Sequence, residues 1–416
     1  MPDILPVLLG ADMNCYSVAR AFHEAYGVVS QAFGRWPMGE TKYSRIVKVT
    51  TREDIDQDAV LLQTLADFAE KHPDKTRILL GCTDDYATLI IRHRAVLSKQ
   101  YITPYIDGPL MDRLVSKEQF YHYCDEFAIP YPATLVLHGA QDVALLDDAP
   151  FPWPVILKPS SSIQYWKHPF EGMQKVYTAD SPRQARAIAE RIFASGYPDS
   201  LIVQDTIPGA DSGMRVLTAY CDRHAQVKML CLGHVLLEEH TPRARGNHAA
   251  ILTECDRPLM EKLKAFLEAI GYTGFANFDI KYDPRDGQYK VFEINLRQGR
   301  SNYYVTGAGL NIARYLVEDR VLKNDLGETL FFDKETFWHS IPADIVWEYT
   351  DGPDLVRRAK AIVAAGQDTT ALDYAYDLRM NPMRCFYLWE HSRRYYKKYA
   401  TYCPKPATAL KNDAKY

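Results

Sequence analysis

The chain has 416 residues, 47% of them apolar and 25% charged. This is the make-up of an ordinary globular protein of about two to three domains, and it excludes a disordered, collagenous or small disulfide-stapled chain. Lysine plus arginine is 49 against 53 for aspartate plus glutamate, a net charge of −4, which argues against a general nucleic-acid binder with its basic footprint.

The opening run Ile4–Leu9 is apolar, but no basic residue precedes it and it is too short for a signal peptide. It reads as a buried first strand. No apolar run reaches the roughly 18 residues that a membrane-spanning helix needs. The cysteines at 15, 82, 124, 221, 231, 255, 385 and 403 form no CxxC pair and no zinc-like spacing. All eight are expected as small core residues in a reducing cytoplasm. Residues 14–26 have helical spacing and stop at Gly27, a left-handed cap. A short strand over 46–49, a helix over 59–69 and a buried strand over 77–80 follow. This β-α alternation predicts a parallel, Rossmann-like sheet. Ligands in such sheets lie beyond the carboxyl ends of the strands, which singles out residues 10–14 and 81–86. Ordinary strand-to-helix turn chemistry accounts for both loops as well.

A second region begins near Met111. Residues 116–127 form a helix with a capping box, Ser116 as the cap and Gln119 at its third position. Phe151 to Leu157 leads into Lys158, Pro159 and the serines 160–162. Residues 201–203 form a buried strand running into Gln204, Asp205, Thr206, Ile207, Pro208 and Gly209. An amphipathic helix over 259–270 is followed by Gly271.

Residues 277–282 and 289–295 alternate polar and apolar about a turn of Asp283, Pro284, Arg285, Asp286 and Gly287, the pattern of a β-hairpin. A three-residue loop, Arg285–Asp286–Gly287 with glycine left-handed, sets Asp279 opposite Glu293 and Asn277 opposite Asn295. All four share one face. Facing carboxylates repel. Either a hard divalent cation offsets them, with Asn295 as a neutral oxygen donor, or the face is solvated and screened by Lys281 or Lys290.

The order of these features resembles the ATP-grasp superfamily: a lysine opening a capped helix, a Val-Ile-Leu-Lys-Pro strand, a serine loop, a strand ending in Gln-Asp-Thr-Ile-Pro-Gly, then Asp and Glu-Ile-Asn on a hairpin. The stretches Leu8 to Asn14, Asp211 to Leu217, Gly274 to Asp279 and Phe292 to Ser301 resemble the D-aspartate ligases of Gram-positive cell-wall synthesis. The resemblance spans roughly residues 4–322. It implies an α/β and α+β chain: a Rossmann-like domain over 1–112, an ATP-grasp domain over 113–322 with a subdomain junction near 204–209, and a helical extension over 323–416.

The resemblance also implies roles. Lys117 and Lys158 would hold the ATP phosphates, covered by Ser160, Ser161 and Ser162. Gln204, Asp205 and Ile207 would frame adenine, and Asp211 would meet the ribose. Asp279, Glu293 and Asn295 would ligate Mg2+, with Mn2+ as the alternative. Arg297 and Arg215 would act on the reacting carboxylate and the γ-phosphate. Arg300, Ser301, Asp12 and Asn14 would bind substrate. The implied partners are D-aspartate and a lysine-containing peptidoglycan precursor, in the cytoplasm. The implied reaction passes through an acyl phosphate, so it needs no serine or cysteine nucleophile. His234, His240 and His248 are candidates for the base that deprotonates the amine, each with a structural role as the alternative. An ATP-grasp ligase with another amino acid or amine acceptor, and a nucleotide-binding module without turnover, are the competing readings.

Residues 384–416 carry eight basic and two acidic side chains, leaving −10 on the remainder. The stretch 380–402 is either an amphipathic helix packed on the core or a contact for anionic lipid at the inner membrane face or for the nucleotide-linked precursor.

Overall fold

The computed structural model describes residues 3–160, 162–174, 176–242, 244–403 and 405, without the side chains of residues 162 and 163. Backbone proximity divides the chain into two units: residues 1–111, 210–279 and 294–416, and residues 112–209 and 280–293.

Near the amino terminus, β1 (Ile4–Leu9), β2 (Ser30–Gly34), β3 (Val47–Thr51) and β4 (Thr76–Gly81) form a parallel sheet in the order β3-β2-β1-β4. Helix Met13–Tyr26 links β1 to β2. Asp12 caps it, 3.1 Å from the Cys15 amide, and Gly27 closes it at φ 68°. Thr83 caps helix Asp84–Arg92 directly after β4. Gly81 lies so close to this helix that a Cβ would sit 2.5 Å from the Ala87 nitrogen. Strand β2 falls outside the sequence expectation.

The second unit carries an antiparallel sheet of β5 (Thr134–Leu137), β6 (Val155–Pro159), β7 (Tyr177–Ala179) and β8 (Leu201–Asp205), in the order β5-β8-β6-β7. Helix Pro182–Ala194 places Ala185, Ile188, Ala189 and Ile192 in one core with Leu137, Val155, Leu157 and Val203. The predicted capped helix is Lys117–Glu126, with Ser116 accepting from the Gln119 amide.

A seven-stranded sheet follows: β9 (Met214–Cys221), β10 (Val227–Glu238), β11 (His248–Glu254), β12 (Gly274–Asp283), β13 (Gln288–Asn295), β14 (Leu330–Phe331) and β15 (Phe337–His339). Its order is β13-β12-β9-β10-β11-β15, with β14 on β10. Strands β12 and β13 are the predicted hairpin, with Gly287 at φ 71°. The connection spans 284–287, one residue wider than expected.

The tail forms helix Pro382–Tyr402, packed on the first unit through Tyr395 and Tyr399. At its start the buried Arg384 pairs with the buried Asp377 at 2.8 Å and donates to the carbonyls of Glu40 and Lys42. Asp377 also accepts from the Tyr16 and Ser44 hydroxyls and the Arg45 amide. No helix among the described residues is long and apolar enough to cross a membrane. The expectation of eight core cysteines needs correction: Cys255 and Cys385 are exposed and Cys403 is half-buried. The first follows a strand end, and the other two lie on or at the end of a surface helix with only one face covered.

Candidate active site

In the second unit, Lys117 opens its helix, where unpaired backbone amides also favour an anion. Its Nζ lies 2.7 Å from Glu293 Oε2. Lys158, at the end of β6, donates to Gln204 Oε1 at 3.1 Å. Gln204 in turn donates to the hydroxyls of Tyr121 and Thr134 at 2.8 and 2.9 Å. Burial first, and the like charge of Lys117 second, push the Lys158 ammonium down to about 7 against the pull of Glu293. Ser160 Oγ lies 3.3 Å from the Tyr197 hydroxyl. Ser161 and the Ser162 side chain lie outside the described residues.

The predicted adenine segment is tied down by residues that sequence reasoning did not assign to it. Arg285 grips Asp205 through both terminal nitrogens and also pairs with Asp283. Lys290 meets Asp283 at 2.7 Å and Asp286 at 2.9 Å. Lys281 donates to the carbonyls of Ile207 and Gly209, both at 2.9 Å.

On β12 and β13, Asn295 Nδ2 donates to Asp279 Oδ2 at 3.1 Å and to the Asn277 carbonyl at 3.3 Å. The Asn295 side chain thus reaches across the hairpin to residues 277 and 279. Among the described residues no three His, Cys, Asp or Glu side chains converge as a metal cluster. The expected set is two carboxylates and a carboxamide, a hard-oxygen donor set that fits Mg2+.

Within the first unit the two loops beyond β1 and β4 meet the segment after β13. Asn14 donates to the carbonyls of Cys82 and Gln298 at 2.7 and 3.2 Å and accepts from Asn302 at 2.7 Å. Gln298 reaches the Gly81 carbonyl at 3.2 Å. Asn14 is fully buried, so it braces these loops from inside. Arg297 projects to Asp84, 2.7 Å away, and donates to the Gln298 carbonyl, while its buried Nε has no hydrogen-bond partner. Burial opposes its charge, but Asp84, Asp279 and Asp12 hold its pKa above the usual value. Gly299 admits this packing: a Cβ there would lie 2.5 Å from Asn277 Oδ1.

Arg215 is committed elsewhere, to Glu254 and to the carbonyls of Ser212 and Met214. His234 uses both ring nitrogens, on Glu254 and on the Ser212 carbonyl. His240 lies 2.8 Å from Asp211, and this hydrogen bond, with one to Cys403, pushes it up to about 10. It is therefore protonated at neutral pH. Burial pushes His248 down to about 4. His240 already holds its proton and His248 is a weak base, so neither is poised to take a proton from an amine near neutrality. Asp211 accepts from His240 and the Glu238 amide, both on Oδ2.

Arg300 lies 3.2 Å from Glu239, and Ser301 beside it is buried. Burial opposes the Arg300 charge while Glu239, Tyr395 and Asp12 support it. Burial raises the Asp12 carboxyl against the fields of Arg300 and Arg297. Sequence reasoning gave no individual role to Asp84, Gln298, Asn302 or Glu239. Asp84 lies inside the loop 81–86 and Gln298 inside the quoted 292–301 stretch, and Glu239 lies between the candidate histidines 234 and 240.

No family model matches the chain. A D-aspartate ligase of Enterococcus faecium (strain Aus0004) is 44% identical over 384 residues, 90% of this chain and 91% of that one. Among solved structures, an L-amino acid ligase from Bacillus licheniformis matches with a TM-score of 0.58 at 11% identity, over 82% of this chain and 81% of its own. N5-carboxyaminoimidazole synthetase from Staphylococcus aureus, complexed with ADP, gives 0.58 at 12% identity over 82% and 83%. The biotin carboxylase domain of a Hydrogenobacter thermophilus 2-oxoglutarate carboxylase gives 0.57 at 14% over 79% and 71%. The structural likenesses establish the ATP-grasp fold. The sequence identity, sustained along both chains, establishes more: this chain belongs to the D-aspartate ligase family.

Proposed function

We propose that the chain joins the β-carboxylate of D-aspartate to the side-chain amine of a lysine in a peptidoglycan precursor, with ATP cleaved to ADP and phosphate. The observation that carries this reading is the 44% identity across 90% of the chain. In the first step a β-carboxylate oxygen attacks the γ-phosphorus and ADP leaves. In the second, the deprotonated amine attacks the acyl carbon and inorganic phosphate leaves. Phosphorylation supplies the leaving group that a carboxylate lacks, so the protein's work is positioning and charge neutralisation.

Lys117 and Lys158 contact the phosphates, beneath the 160–162 segment. Gln204, Asp205 and Ile207 frame adenine, chiefly through backbone groups, because both polar side chains already have partners. Asp211 Oδ1 is assigned to a ribose hydroxyl. Asp279, Glu293 and Asn295 would hold Mg2+, which when bound neutralises phosphate charge. Arg297 orients the reacting carboxylate and the transferring phosphoryl group, a task suited to a planar fork of donors. Arg215, held by Glu254 through its Nε, is the second candidate for the γ-phosphate. Arg300, Ser301 and Asp12 receive the amino acid, with Asn14 behind them.

The test is ADP and phosphate release with magnesium-ATP, using D- or L-aspartate with and without a lysine-containing precursor. Release that needs both D-aspartate and precursor is expected, and Glu293→Gln and Arg297→Ala should each lower kcat by about a hundredfold or more. Turnover with another amino acid and none with D-aspartate would sink the substrate assignment.

A second proposal concerns the tail. Phe386, Trp389 and Tyr396 are exposed on helix Pro382–Tyr402, together with Arg393 and Lys397. An aromatic and basic face of this kind suits peripheral contact with anionic lipid.

A further inference from the structure

Five buried arginine and glutamate atoms in the first unit have no hydrogen-bond partner among the described residues: Arg320 Nη2 and Arg384 Nε, whose side chains are ion-paired with Asp319 and Asp377, and three others, Arg297 Nε, Arg300 Nη1 and Glu239 Oε1. Of these three, two are donors and one is an acceptor. Buried polar atoms are rarely left so, and a missing ligand is one physical reason for it. The three belong to one cluster. Asp12 feels the charges of both Arg300 and Arg297. Glu239 is only 3% exposed and lies 3.2 Å from Arg300, out of line for a hydrogen bond.

The C-terminal helix closes this cluster. Tyr395 lies close enough to Arg300 and Glu239 to feel both charges. Tyr399 donates to the Glu238 carbonyl at 2.8 Å, and the Glu239 amide donates to the Asn247 carbonyl at 2.8 Å, so the backbone on both sides of the Glu239 amide is fixed. Tyr395 and Tyr399 are 2% and 3% exposed.

We propose that Glu239 accepts the α-ammonium group of the amino-acid substrate, and that Tyr395 of the C-terminal helix is a positioning residue holding the Arg300–Glu239 pair for it. A zwitterionic aspartate carries two carboxylates and one ammonium, the complement of two guanidinium donors without hydrogen bonds and of the Glu239 carboxylate, whose Oε1 is ion-paired with Arg300 but makes no hydrogen bond. The inference rests on the D-aspartate reading and deepens it: the helical extension becomes part of the amino-acid subsite.

The experiment uses the full-length enzyme in the ADP-release assay, with D-aspartate as substrate and succinate, which lacks the ammonium group, as competitor. Glu239→Gln should raise KM for D-aspartate by about tenfold to a hundredfold, the loss of one charge-assisted hydrogen bond, with KM for ATP and succinate inhibition unchanged. Tyr395→Phe keeps the ring and should raise KM for D-aspartate several-fold with kcat preserved. A Glu239→Gln enzyme that separates D-aspartate from succinate within about twofold of wild type overturns the assignment. If that variant does not fold, an unchanged KM for D-aspartate in Tyr395→Phe overturns it instead. Wild-type enzyme without D-aspartate-dependent release would reject the ligase reading itself. Wild-type activity matched by both variants rejects only the role of Glu239 and Tyr395.

Discussion

Lys158 ends a buried strand, where desolvation and the neighbouring ammonium of Lys117 bring it to about 7. Near neutral pH a large share of molecules therefore presents a neutral amine at the proposed phosphate site. A bound phosphate favours the charged form and raises this pKa again. ATP binding at about pH 8 should then take up a proton, and affinity should fall as pH rises above 7. Calorimetric titration in two buffers of different ionisation enthalpy measures this directly, and proton release, or no exchange, would contradict it. Lys158→Arg should remove the dependence, because a guanidinium stays charged throughout that range. The sequence exposed Lys158 as a candidate through its Lys-Pro-Ser context. Its shifted acidity was not legible there, because it depends on how deeply the side chain is buried and on Glu293, which is distant along the chain.

The hairpin was the most legible element. Period-two alternation and a turn ending in glycine have few other solutions, and the Asn295 side chain reaches Asn277 and Asp279 across the hairpin. Strands β9, β10 and β11 were not legible. They are buried on both faces of the wide sheet, so they read as near-continuous apolar runs, such as residues 229–237, without the alternation that marks a strand. Strand β2 was missed because Ser-Gln-Ala-Phe-Gly has no β-branched residue, and its state is decided by pairing with β1 and β3. The C-terminal helix was expected, but its anchor was not. Arg384 and Asp377 are both fully buried, and removing one partner leaves an uncompensated charge. Arg384→Met should cost about 3–5 kcal/mol of folding stability. Chemical denaturation of variant and wild type would check this, and a loss below about 1 kcal/mol would show the pair to be dispensable.

For the molecule as a whole, the near-neutral total hides a basic extension on an acidic remainder, visible in the sequence. A helix packed on the core was one of the two readings of this extension; its anchors were not visible, since Tyr395, Tyr399 and Arg384 find buried partners hundreds of positions away in some cases. The lipid proposal belongs at this scale. The full chain should sediment with vesicles containing anionic phospholipid more than with purely zwitterionic ones, and raising salt should release it. Replacing Phe386, Trp389 and Arg393 together should abolish the difference, while equal sedimentation with both vesicle types would dismiss the membrane contact.

The second unit takes residues 112–209 and then, after a long interval, residues 280–293. This has a consequence for synthesis on the ribosome. Asp205 is almost fully buried and is neutralised by Arg285, which is translated 80 residues later. Until that arginine emerges, the end of β8 holds a carboxylate without its counter-ion, and the unit cannot settle. Nascent chains halted between positions 209 and 280 should therefore remain open to proteases, and the whole protein is committed to folding late in its own translation.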